Sequence, residues 1–154
     1  MSVEVGQPAP AFELSNQFGE TVALEQFRGV KPVVLVFFPL AFTGVCTGEM
    51  CELRDNFEQF RDAGVELLTV SVDSTATLRT FAEKEGYEFS MLSDFWPHGA
   101  VAQQYGAFLE SKGIASRHTF LIDTEGIVSA HFFTEPGEPR NFDEYRAALA
   151  QLAA

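Results

Sequence analysis

Six apolar residues in a row, Val33-Val34-Leu35-Val36-Phe37-Phe38, stop at Pro39 and constrain the fold of this chain more than any other stretch. The run is partly β-branched and has no polar face, the pattern of a strand buried on both sides of a sheet. A short connection with a Thr43-Gly44 pair follows. From Cys46 onward, Cys46, Met50, Leu53, Phe57 and Phe60 recur at helical spacing. This spacing predicts one helix over about residues 46–60, ended by Gly64. A sulfur therefore stands in the first turn of a helix that follows a central strand. Unpaired N–H groups and roughly half a positive charge gather there and bias a thiol toward thiolate, its nucleophilic form.

The remaining segments build a sheet around that strand. Pro8 and Pro10 make residues 1–10 an extended lead-in. Residues 12–14 and 21–24 read as short strands around a hairpin connection at residues 15–19. Residues 65–72 form a second apolar strand, after which Ser74 or Thr75 caps a helix carrying Leu78, Phe81 and Ala82 and closed by Gly86. Residues 89–92 are a short strand, and residues 93–99 form a loop feeding a short helix over residues 101–105. Strands at 119–122 and 127–133 meet in a turn at residues 123–126. The last helix starts at Asn141, with Glu144 placed as in a capping box. This order predicts an α/β, thioredoxin-like fold: a mixed central sheet flanked by helices, with an N-terminal β-hairpin extension. A flavodoxin-like sheet is the competitor and accommodates the last hairpin less well. No repeat or linker divides residues 1–154, so a single domain is expected.

Composition narrows the partners. With 10 basic against 22 acidic residues, the net charge is -12, which disfavours nucleic acid because phosphate contacts need clustered Lys and Arg. No apolar stretch reaches the roughly 20 residues needed to span a bilayer, and the first residues do not read as a signal peptide. A cytoplasmic protein without membrane contact is expected. There, two cysteines are reactive or incidental rather than a permanent staple. His98, His118 and His131 lack metal-ligand spacing, and no Gly-rich phosphate signature follows a strand, so neither metal nor cofactor is expected.

Pro39-x3-Thr43-x2-Cys46 resembles the active-site motif of peroxiredoxins, thiol peroxidases of thioredoxin fold. Arg117-His118-Thr119-Phe120-Leu121-Ile122-Asp123 is similar to the segment that supplies the family's active-site arginine. Leu92-Ser93-Asp94 with Val101-Ala102-x2-Tyr105-Gly106 resembles a third marker, and Gly6-x-Pro8-Ala9-Pro10-x-Phe12-x-Leu14 the usual N-terminus. Residues 37–46 and 93–101 are most similar to the alkyl hydroperoxide reductase E group. Cys51, five residues beyond Cys46, departs from that group and is spaced as in peroxiredoxin Q (bacterioferritin comigratory protein).

The resemblance implies a peroxidase acting on hydrogen peroxide, alkyl hydroperoxides or peroxynitrite. Cys46 would attack the peroxide and become a sulfenic acid. Arg117 would favour the thiolate and hold the peroxide, Thr43 would position either through its hydroxyl, and Pro39 would shield the sulfur. The amides of Val45 and Cys46 would bind substrate, and Glu49 would orient Arg117. Cys51 lies with Thr47, Arg54 and Glu58, off the apolar face, as suits an exposed resolving cysteine. The alternative is a bystander Cys51, with an external thiol reducing the sulfenic acid. A reductant of thioredoxin, mycoredoxin or low-molecular-weight-thiol type is implied, as is a homodimer. The competing functions are a redox sensor or holdase using the same cysteine, and a thiol-disulfide oxidoreductase, which the absence of Cys-x-x-Cys disfavours.

Overall fold

The computed structural model describes residues 3–135 and 137–153. Met1 and Ser2 of the expected lead-in, Pro136 and Ala154 lie outside that description. A seven-stranded mixed sheet forms the centre, in the order β2-β1-β5-β4-β3-β8-β9. The apolar run is β3 (Val33–Phe37), parallel to β4 (Glu66–Ser71), which is parallel to β5 (Ser90–Ser93). β8 (His118–Ile122) lies antiparallel on the other side of β3, and β9 (Val128–Phe133) completes the hairpin. β1 (Glu13–Ser15) and β2 (Thr21–Ala23) form the hairpin extension beyond β5. This is the thioredoxin-like arrangement expected from the sequence.

Alternation along β3 explains why its sequence has no polar face. Val34, Val36 and Phe38 face one cluster, built with α1 (Gly44–Asp55), α2 (Phe57–Asp62), α3 (Thr75–Glu85) and α5 (Phe142–Ala153). Val33, Leu35 and Phe37 face the other, which includes Val101 and Ala102 of α4 (Ala100–Gln104). Parallel pairing needs cover on both faces, so every residue of β3 is buried.

Two local features depart from the sequence reading. The helix expected over residues 46–60 starts at Gly44 and breaks at Asn56, whose φ of -114° and ψ of 15° separate α1 from α2. Asn side chains compete for nearby main-chain groups. Here Asn56 Nδ2 donates to Glu52 O, and its Oδ1 accepts from Gln59. A small hairpin, β6 (Phe108–Leu109) with β7 (Ile114–Ala115), falls where no strand was expected; two-residue strands leave no periodicity to read.

The third marker stretch proves to be a piece of architecture. Asp94 is buried, and its carboxylate accepts from the amides of Val101 (3.1 Å) and Ala102 (2.9 Å), so it caps α4 from five residues upstream of the helix N-cap, Gly99. Gly99 has φ of 69°, and a Cβ there would lie 2.3 Å from Phe108 Cε1, so glycine is required.

On the sheet face away from α5, the rings of Phe120, His118, His131 and Phe133 stack, with His118 Nδ1 2.8 Å from His131 Nε2. Burial, aided by His131 and Arg140, pushes the His118 pKa down to about 4. The unfolded chain therefore binds a proton that the folded one refuses between about pH 6.5 and pH 4. Stability is full above that window and falls as pH drops through it. Chemical denaturation should show a loss of about 2 kcal/mol attributable to this residue between pH 7 and pH 4, and His118→Phe should flatten the slope.

Candidate active site

The chain leaves β3 through buried Pro39 and turns over residues 39–43 before α1 begins. Phe42 in this turn has φ of 65°, an uncommon conformation for a side chain of this size. Two contacts hold it: the Ala41 amide donates to Asp73 Oδ2 at 2.9 Å, and the Phe42 ring packs on Phe81 of α3 at 4.9 Å. Asp73 is held in turn by Ser71 Oγ (2.7 Å), and its carbonyl accepts from Ser93 Oγ (2.6 Å). The ends of β3, β4 and β5 thus fix the turn together.

Thr43 is the N-cap of α1 by backbone conformation, but its Oγ1 donates back to Leu40 O (2.9 Å) rather than capping the helix. The first intrahelical bond runs from Thr47 N to Thr43 O, so the amides of Val45 and Cys46 have no acceptor within the helix. Cys46 stands at the third helical position and is 0% exposed. Val45, Gly48, Glu49, Glu52, Pro139 and Arg140 line a cleft beside these first turns.

Beneath the cleft is a buried ion cluster. Glu49 projects from the second turn of α1 and accepts from Arg117 Nη1 through Oε1. Arg140 Nη2 donates to the same oxygen at 2.9 Å, and Arg140 Nε and its main-chain N donate to Oε2 at 3.0 and 2.6 Å. Arg140 Nη1 reaches Phe37 O (2.8 Å), His118 O (3.1 Å) and Thr119 Oγ1 (3.2 Å). One guanidinium therefore joins α1, the end of β3 and the start of β8. Burial tends to raise the Glu49 pKa, but the hydrogen bonds and charge of Arg140, with the charge of Arg117, hold it below the usual carboxylate range. Burial opposes the Arg140 charge as well, yet Tyr145, Glu49 and Cys46 together hold its pKa above the ordinary arginine value. The Cys46 sulfur is thus within the field of Arg140.

The structure brings Glu49 and Arg117 together, and Cys46 stands one turn before Glu49 on α1. Sequence reading missed Arg140. It lies two residues before α5 and outside every motif; its one signal was an arginine flanked by Pro139 and Asn141 at a helix entry. Cys51 differs from expectation. It is half-buried, because Tyr87 and Glu85 cover its side of α1: its Sγ lies 3.3 Å from Tyr87 Oη and 3.6 Å from Glu85 Oε1. Among the described residues, no three His, Cys, Asp or Glu side chains converge as metal ligands.

Comparison with known proteins gives the family. The AhpC/TSA family model matches residues 5–131. Alkyl hydroperoxide reductase E of Mycobacterium tuberculosis is 46% identical over 152 residues, covering 99% of both chains. A putative peroxiredoxin bcp of Coxiella burnetii is 42% identical over 129 residues, covering 79% of this chain and 83% of that one. The crystal structure of peroxidoxin BcpB from Mycobacterium tuberculosis superposes with a TM-score of 0.85 at 31% identity, covering 97% of this chain and 96% of that one. The chain belongs to the AhpC/TSA family. It is a peroxiredoxin, a thiol-dependent peroxidase that works on peroxides with thiol reductants.

Arg140→Ala would leave the buried Glu49 carboxylate short of two side-chain donors and a buried cation, and uncompensated buried charge is expensive. Urea unfolding should show a loss of about 3–5 kcal/mol. Arg140→Lys should recover little of it, since an ammonium cannot reproduce the fork that reaches Glu49, Phe37 O and Thr119 together.

Proposed function

We propose that Cys46 is the nucleophile of this peroxidase and that Cys51 resolves the oxidised form. The observation that carries the reading is Cys46 at the third position of α1, beside free helix amides and within the field of Arg140. The thiolate attacks the terminal oxygen of hydrogen peroxide, an alkyl hydroperoxide or peroxynitrite. An S–O bond forms and the O–O bond breaks; the departing oxygen takes a proton and leaves as water or an alcohol, whereas from peroxynitrous acid the departing group leaves unprotonated as nitrite. Negative charge moves from sulfur to that oxygen, so donors fixed before reaction stabilise the transition state without reorganising. The amides of Val45 and Cys46 and the guanidinium of Arg117 are those donors, with Glu49 and Arg140 holding Arg117 in place. Thr43 must turn its hydroxyl from Leu40 O to reach peroxide. Cys46 is buried in this state, so peroxide reaches it only through a local opening.

Cys46 and Cys51 lie on one continuous helix. Five residues advance about 7.5 Å and turn about 140°, which sets the Cα atoms roughly 8–9 Å apart. A disulfide needs less than about 7 Å, so resolution requires local unwinding. Gly44 and Gly48 each lower helix stability by about 1 kcal/mol relative to Ala. The half-buried position of Cys51 makes such unwinding also the step that presents it to a reductant of thioredoxin, mycoredoxin or low-molecular-weight-thiol type. A cycle that consumes reducing thiols favours a cytoplasmic location, and residues 1–154 are read as a single domain.

The partner for assembly is a second copy. The loops after β3 and β5 leave the same end of parallel strands and carry the exposed Phe42, Phe95 and Trp96, the last 82% exposed. Burying such rings between two copies is favourable by about 25 cal/mol per Å² of apolar surface.

Three measurements test these assignments. Cys46→Ser should consume no peroxide above buffer; consumption at the parent rate would remove Cys46 as nucleophile. One equivalent of hydrogen peroxide should cost the parent both thiols in a monomer-mass species, and Cys51→Ser should instead hold a trappable sulfenic acid. In sedimentation, the parent should run as a dimer and Trp96→Asp as a monomer.

A further inference from the structure

Tyr87, in the connection from α3 to β5, touches the part of α1 that lies between the two cysteines. Its hydroxyl donates to the main-chain carbonyl of Thr47 at 3.4 Å and lies 3.3 Å from Cys51 Sγ. The residue is only 4% exposed, and its ring packs edge-on to Phe81 at 5.1 Å and stacks on Phe89 at 5.3 Å. The phenol is therefore fixed to the core and cannot travel with the helix. Burial, with Cys51 and Glu85 beside it, pushes its pKa far up, so the hydroxyl keeps its proton and remains a donor. About one turn beyond Cys51, Arg54 is anchored to Glu85, the last residue of α3: its Nη1 donates to Glu85 O at 2.7 Å and pairs with the Glu85 carboxylate at 3.8 Å.

We propose that Tyr87 is a latch on α1, a positioning residue that holds the Thr47–Cys51 turn wound and thereby sets how fast oxidised Cys46 passes to Cys51. The inference rests on the resolving role assigned to Cys51 above. Any unwinding that brings the two sulfurs together must carry Thr47 O away from the phenol. Arg54 keeps its grip on Glu85 meanwhile, so the unwound stretch ends before residue 54. Gly48 falls inside that stretch, and a Cβ there would meet nothing within 4 Å. Packing therefore does not demand glycine at this position, whereas a segment that must unwind gains from its low helix propensity.

The chemical step that the latch gates balances simply. The Cys51 thiolate attacks the sulfenic sulfur of Cys46, an S–S bond forms, and the S–O bond breaks. The departing hydroxide takes up the proton that Cys51 released and leaves as water. While the turn stays wound, the sulfenic acid persists and a second peroxide can oxidise it to sulfinic acid. The latch thus sets the share of turnovers lost to overoxidation.

Tyr87→Phe isolates the hydroxyl, because the ring and its contacts with Phe81 and Phe89 remain. The variant and the parent are mixed with one equivalent of hydrogen peroxide, and Cys46 oxidation and disulfide formation are followed separately by acid quench and intact mass. Oxidation of Cys46 should stay within about twofold of the parent, while disulfide formation accelerates by about threefold to tenfold, the span that one net hydrogen bond sets. Sulfinic acid at excess peroxide should fall by a similar factor. Amide exchange at residues 44–51 should quicken in step, with residues 57–62 unchanged. Parent-like disulfide formation together with parent-like exchange would overturn the latch. If the parent forms no intramolecular disulfide, the resolving role of Cys51 fails on its own. The exchange at residues 44–51 in Tyr87→Phe then still decides the latch, faster exchange supporting it and unchanged exchange refuting it.

Discussion

The Glu49–Arg140 pair is the contact on which the geometry of the site depends. Two carboxylate oxygens take three donors from Arg140 and one from Arg117, all in a region nearly closed to water. Such a cluster contributes little net stability, because desolvation offsets most of the attraction. Its value is positional. Arg140 also binds the Phe37 carbonyl where β3 ends, so the helix carrying Cys46 is indexed to the strand from which the active-site turn departs. Arg117 enters the same arrangement from the residue before β8. Three segments distant in sequence are thereby set against one another around one carboxylate, one turn after Cys46 on α1.

The opposite side of α1 is held differently. Tyr87 Oη meets Thr47 O at 3.4 Å, Arg54 meets Glu85 O, and α3 adds Phe81 beneath Phe42. Denser fixation on the side of Glu49 than on the side of Cys51 suits the proposed cycle, in which α1 holds one geometry for peroxide attack and releases another for resolution. Asp73 extends the first kind of fixation to the turn, since its carboxylate holds the Ala41 amide from the end of β4.

Much of this was legible in the sequence where the signal was continuous or local. The apolar run of β3, the paired caps Ser74 and Gly86 of α3 and the turn at residues 123–126 each follow from side chains acting on their own neighbourhood. Cys46, Thr43, Arg117 and Glu49 were reached through motif likeness, and burial together with the ion pairs places Glu49 and Arg117 in contact. Arg140 was not legible, because its partners lie 21 to 103 residues away and no periodicity encodes such contacts. The environment of Cys51 was misjudged for a related reason. A helical projection assigns it to the polar face, but cannot know that Tyr87 is folded over that face. The end of α1 at Asn56 was hidden by apolar spacing that runs through the break without interruption.

That break separates two mechanical fates. Phe57 and Phe60, just beyond it, pack with Phe89, Phe142 and Tyr145 in the heart of one core layer. Had the helix run on unbroken, any twist in its first turns would be transmitted along a stiff rod to those rings. Asn56 acts instead as a joint, closing one helix and opening the next with its own side-chain bonds. In the proposed cycle, the first turns of α1 reshape while the aromatic floor beneath them keeps its packing.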